Sequence, residues 1–137
     1  MTLRGQVLIA GDPVDAESIA LTAPISFWGG VNPRTGEVAD VRHPQYGQSL
    51  SGKIVLIPAT VGSSSAAAVL LELVHAGRAP AAIVLHEPDA ILLLGLIVAN
   101  EMGERSPIAL RLDREHFQAL AGRRLVVSKD GDIETCA

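Results

Sequence analysis

The chain has 137 residues, 48% of them hydrophobic, which suits one domain with its own core and no need of disulfide or metal staples. Its formal net charge is −4 with acids and bases interspersed, and the absence of a Lys/Arg run argues against nucleic acid as a partner. The single cysteine, Cys136, excludes an intrachain disulfide and cannot hold an iron–sulfur cluster alone.

The first predicted element is "RGQVLIAG", a strand ending at Gly11. Its apolar run is short and strand-like, so "MTLRGQVLIAG" lacks the shape of a secretory signal, and the cytoplasm is the expected compartment. "ESIALTAP" follows as a second strand, alternating at Ile19, Leu21 and Ala23. From Pro24 to Gly52 the density of Gly and Pro predicts consecutive turns, interrupted by short strand pieces such as "GEVAD". An irregular segment of that length is unusual in a compact domain and is usually functional.

The second half alternates strands and helices. "KIVLIPA" is an apolar strand, and a helix runs from Ala66 to Ala76 with Gly77 in the C′ position. "APAAIVLHE" is the next strand. Asp89 can cap a helix from Ala90 to Ala99, which is too short for a bilayer (about 20 residues are needed) and is predicted to be a buried element. "SPIALRL" is a further strand, and Asp113 caps "REHFQALAG", which stops at Gly122. "RRLVVSKDGDIETCA" reads as two strands around a Lys129-Asp130-Gly131 turn. Apolar strands joined by helices imply parallel crossovers. The expected fold is α/β: a β-rich N-terminal part packed on a β-α-β part, in one domain.

Chemistry concentrates in "IPATVGSSSAAA", Ile57 to Ala68, where a strand hands over to a helix. Gly62 lets the backbone turn sharply, and Ser63, Ser64 and Ser65 fall at the start of the helix. The first N–H groups of a helix lack intrahelical acceptors, and the macrodipole there favours negative charge. Three readings stay open. A serine caps the helix, a contribution of about 1 kcal/mol; the backbone binds a ligand carboxylate or phosphate; or a serine oxygen carries developing negative charge as a base. The spacing is not that of a phosphate loop, and no Lys is near.

The blocks "PISFWGGVNPRTGEVAD", "HPQYGQSLSGKIVLIPATVGSSS" and "LLELVHAGRAPAAIVL" resemble the small, swivelling-domain subunit of the aconitase X family, in order and over most of the chain. The resemblance implies a swivelling β/β/α domain across residues 1–137 and hydro-lyase activity. It implies a separate large subunit holding an iron or iron–sulfur centre and most of the substrate site, with no cofactor bound by this chain alone. The first serine after the glycine is the family's base, which lands on Ser63; Gly62, Ser64 and Ser65 become turn, cap or substrate-binding residues. Family substrates are cis-3-hydroxy-L-proline, dehydrated to a cyclic imine acid (1-pyrroline-2-carboxylate), and a phosphorylated mevalonate. In the implied mechanism the base removes a proton while the metal, as Lewis acid, assists the departing hydroxide. A non-catalytic anion-binding or assembly module on the same fold is the alternative from another class.

Two departures from the family pattern bear on substrate. Val61 stands where the family often has a basic residue, which disfavours a phosphorylated substrate. Asn32 replaces an Asp in "GGVDP", keeping the turn but losing the charge. Arg34 and Arg42, in the irregular segment, are candidates to hold a substrate carboxylate or are solvated loop charges. Trp28, with Gly29, Gly30 and Asn32, is a candidate subunit contact. Asp40 and His43 are possible site-edge residues with too few neighbours for a metal site, and His75 suits a helix C-terminus.

Overall fold

The computed structural model describes residues 2–62 and 64–136. Ser63 lies outside the described residues, directly between Gly62 and Ser64. The strands are β1 (Thr2–Arg4), β2 (Gln6–Ile9), β3 (Val14–Ala20), β4 (Ile54–Ile57), β5 (Ala82–Leu85), β6 (Ile108–Arg111), β7 (Arg124–Val127) and β8 (Asp132–Thr135). The helices are α1 (Phe27–Gly30), a kinked turn whose Trp28 and Gly29 leave helical geometry, α2 (Ser64–His75), α3 (Ala90–Glu101) and α4 (Phe117–Leu120), the last preceded by a 3-10 turn at Arg114–His116.

Among the described residues the strands form one eight-stranded sheet in the order β1-β8-β7-β3-β4-β5-β6-β2. The two ends of that order, β1 and β2, are separated in the chain by Gly5 alone, so the sheet curls until its edges meet and closes as a barrel. β3, β4, β5 and β6 are mutually parallel; β7, β8, β1 and β2 join antiparallel. The parallel strands are buried on both faces, which explains their unbroken apolar runs "IVLI" and "AIVL". Alternate residues serve different cores. Ile54 and Leu56 point into the barrel with Val84, Leu110, Leu125 and Ile133. Val55, Ile57, Ile83 and Leu85 face outward against Leu70 and Leu73 of α2 and Leu92 and Leu96 of α3.

The observed fold is the expected swivelling β/β/α class, with boundaries that differ. The first predicted strand, Arg4 to Gly11, is observed as β2 (Gln6–Ile9), and a further strand, β1 (Thr2–Arg4), precedes it across Gly5 where the chain passes from one sheet edge to the other. The second runs Val14–Ala20 rather than from Glu17 through Ala23: antiparallel pairing with β7 starts it at Val14, and its parallel pairing with β4 ends at Ala20. α2 starts at Ser64, so Ser64 and Ser65 lie inside its first turn. It ends as predicted, with Gly77 at φ 70° and the Arg78 N–H donating to the Leu73 carbonyl at 2.9 Å. The Asp113 segment is a 3-10 turn and one α turn rather than a continuous helix.

"GEVAD" forms no strand, only the isolated bridges Val31–Val38 and Glu37–Ser49. Yet the segment from Pro24 to Gly52 is tightly fixed. It buries Ile25, Phe27, Val31, Val38 and Leu50 against the outer core. Gly36, at φ 78°, shows why: a Cβ there would lie within 2.8 Å of the Arg78 carbonyl oxygen. Ser51 donates its hydroxyl to that same carbonyl at 2.6 Å. His43 is buried, its Nε2 3.1 Å from the Ala23 carbonyl and its Nδ1 accepting the Gln45 N–H. It serves as a brace of the loop. Arg34 and Arg42 are exposed; the nearby polar groups order the backbone, with Asn32 Oδ1 accepting the Arg34 N–H at 2.9 Å and Asp40 Oδ1 the Arg42 N–H at 2.9 Å.

Candidate active site

The parallel strands deliver their carboxyl ends to one edge of the barrel, where crossover loops gather in open α/β sheets. β4 continues into Pro58–Gly62 and then α2; β5 continues into His86–Asp89 and then α3; β6 continues towards Arg114. His86 knits this edge: its ring Nδ1 accepts the Arg114 N–H at 3.0 Å and its carbonyl accepts from Arg111 Nε at 3.0 Å. Asp113, beside it, has its carboxyl held below the usual range, chiefly by the Glu115 N–H it accepts.

The approach to Ser63 is supported on two sides. Ile25 and Thr60 form a parallel bridge, with the Ile25 N–H donating to the Ala59 carbonyl (3.1 Å) and the Val61 N–H to the Ile25 carbonyl (2.9 Å). Opposite, Thr60 donates its hydroxyl to Asp89 Oδ2 at 2.6 Å. The other oxygen of Asp89 accepts the Leu92 N–H at 3.0 Å as the N-cap of α3, as predicted. Gly62 runs against the same carboxylate; a Cβ on it would lie 3.1 Å from Asp89 Oδ2. Past this point the turn is open: Val61, Gly62, Ser64 and Ser65 are all exposed. The first turn of α2 holds no acidic residue, and the start of a helix is where an anion or alkoxide is favoured.

Two apolar surfaces flank this open edge. Val61 is 62% exposed, and Trp28 is equally exposed although its neighbour Phe27 is buried. Gly29 is exposed at φ 80°, while Gly30 is buried, with Ile25 Cγ1 3.4 Å from where a Cβ would stand, and Asn32 is half-buried in its turn. The second surface corrects an expectation. α3 buries only Leu92, Leu93, Gly95, Leu96 and Ala99; Ile91, Leu94, Ile97, Val98 and Met102 stay 41–61% exposed. A helix apolar all round is ordinarily buried all round. At its far end His75 of α2 pairs with Glu104 at 2.5 Å, and that hydrogen bond and charge raise the imidazole pKa.

Among the described residues no group of three or more His, Cys, Asp or Glu is placed to hold a metal ion, and no helix is long and apolar enough to cross a membrane. Cys136 is half-buried and free, its N–H donating to the Arg124 carbonyl at 3.0 Å. The sequence reading missed the tie between Thr60 and Asp89. Asp89 was legible as a cap, but a partner 29 residues away leaves no local signal. It also passed over Arg114, an exposed cation that lines a concavity at this edge with Thr22, Pro58 and Gln118.

A closed barrel, flanked by two helices and presenting an open serine turn at the carboxyl edge of its parallel strands, defines a swivelling β/β/α domain that offers an edge rather than enclosing a pocket. The structure superposes on Thermococcus kodakaraensis aconitase X in its holo form with a TM-score of 0.86 and 29% identity, over 100% of this chain and 99% of that one. The family model of the aconitase X swivel domain matches residues 2–135, and the chain belongs to that family. It is 46% identical over 130 residues to a cis-3-hydroxy-L-proline dehydratase of Pseudomonas aeruginosa, 94% of this chain but 22% of that protein. It is 34% identical over 135 residues to a phosphomevalonate dehydratase small subunit of Thermococcus gammatolerans, 98% of this chain and 97% of that one. The chain thus spans about a fifth of the hydroxyproline dehydratases it matches (22% and 20%) and nearly all of this small subunit.

Proposed function

We propose that this chain is the small subunit of a hydro-lyase acting on a small hydroxy acid, with cis-3-hydroxy-L-proline as substrate and Ser63 as general base. The observation that supports this best is the exposure of Gly62 at the carboxyl edge and of Ser64 and Ser65 at the start of α2. The N–H groups at a helix start favour a serine oxygen that carries negative charge. Ser63 takes the proton from the carbon bearing the carboxylate, and the hydroxyl on the adjacent carbon leaves; the resulting enamine tautomerises to 1-pyrroline-2-carboxylate. The carboxylate of the substrate has cationic candidates in Arg34, Arg42 and Arg114.

The higher identity to the hydroxyproline enzyme and the apolar Val61 both support this substrate. The competing reading, phosphomevalonate dehydration, is favoured by the match in length to the archaeal small subunit. Assaying the assembled enzyme on both substrates side by side decides. Turnover of cis-3-hydroxy-L-proline at least tenfold above that of phosphomevalonate is the expected outcome; the reverse ratio removes the substrate assignment.

The remaining site and the iron or iron–sulfur centre belong, on this reading, to a large subunit. The described residues of this chain offer no ligand set for that centre. The exposed Ile91, Leu94, Val98 and Met102 of α3 lie on one helical face, and Trp28 and Val61 flank the turn; both surfaces fit burial against that partner. Leu94→Glu, on the outer face, is expected to leave the melting temperature of the isolated chain within a few degrees. In co-purification it should weaken capture of the large subunit about tenfold or more, as truncating or charging a central interface residue does. Undiminished capture would place the contact elsewhere.

A further inference from the structure

We infer that Thr60 and Asp89 are positioning residues that set the approach to Ser63, an inference that rests on Ser63 being the base. Asp89 is well suited to act as a fixed post. One oxygen is committed to the Leu92 N–H at the start of α3, and the other receives the Thr60 hydroxyl at 2.6 Å. Both oxygens are therefore occupied, and rotation of the carboxylate is opposed from both sides. Across the chain, the Ile25 backbone holds Ala59 and Val61. The three residues before Gly62 are thus held from both flanks, one by main chain and one by side chain.

Gly62 then passes so close to the Asp89 carboxylate that even a methyl group would crowd it. The carboxylate therefore limits where Gly62, itself exposed to solvent, can stand. Catalytic groups misplaced by about 1 Å lose on the order of a hundredfold in rate. A hydroxyl–carboxylate contact at this position is where such precision is set. The effect of the tie passes through the serine.

The test uses the assembled enzyme. Thr60→Val keeps the branched shape and removes the hydroxyl proton; Thr60→Ser keeps the hydroxyl. Thr60→Val is expected to lower kcat about tenfold with KM little changed, and Thr60→Ser to restore most of it. The same change is then made in the Ser63→Ala background. If Thr60 acts through Ser63, it adds no further loss of residual turnover there. A loss by the same factor in both backgrounds means a purely structural role and overturns the inference. Wild-type kcat in Thr60→Val, with Ser63→Ala strongly impaired, overturns the inference and leaves the base assignment standing. Full activity in Ser63→Ala removes the base assignment and this inference with it.

Discussion

Ser63→Ala in the assembled enzyme is expected to lower kcat by about two to four orders of magnitude, the usual contribution of a positioned general base. Substrate binding should change little, because a serine that takes a proton only as the transition state forms contributes little to the ground state. Ser64→Ala and Ser65→Ala serve as controls. Both residues sit in the first turn of α2 with exposed positions, so their loss should cost the turn no more than a few tenths to about 1 kcal/mol and turnover a few-fold. Equal losses at all three serines would instead describe an anion-binding helix start with no distinct base.

Gly95→Val is expected to be the most damaging single change to the fold. Gly95 lies where α3 crosses α2, and a Cβ there would come 2.5 Å from the Ala67 carbonyl oxygen and 3.4 Å from Leu70 Cβ. Backbone cannot yield as a flexible side chain can, so the two helices must separate. Removing a helical glycine ordinarily gains up to about 1 kcal/mol in propensity. Here forced separation of a packed interface outweighs it, and overpacking costs about 1–3 kcal/mol or more, with a β-branched side chain at the upper end. The melting temperature should fall by roughly 10 °C. Gly95→Ala should fall by less, in the same direction. A Gly95→Val chain as stable as the parent would mean that α2 and α3 are not held at this distance. Because Asp89 caps α3, displacement of the helix should also disturb the Thr60 contact, so turnover is expected to fall more than folded fraction does.

How much of this was legible in the sequence depends on the range of the interaction. Elements set by local chemistry were readable: Asp89 and Asp113 as caps, Gly77 and Gly122 as stops, and the turn before β8. The barrel was not, since its closure rests on β1 and β2 pairing with strands more than a hundred residues away. The specific blocks of the resemblance turned out to be partly architectural. Gly36, Ser51 and Asn32 hold the irregular segment rather than present chemistry outward. α3 misled because apolar content alone cannot distinguish a face buried in its own core from one left for another body. The candidate site was visible as a serine turn, but its support by Thr60 and Asp89 spans a whole crossover, from β4 through α2 to β5, and has no sequence signature.

The central claim is that a residue of this chain does chemistry only when a second subunit completes the site. Its most direct test is a titration of purified large subunit with this chain, following the dehydration of cis-3-hydroxy-L-proline. The expected result is no turnover by either component alone and a rate that rises to saturation at equimolar chain, with Ser63→Ala assembling equally but turning over about two to four orders of magnitude more slowly. Full turnover by the large subunit alone, or saturation with an equally active Ser63→Ala chain, would contradict it.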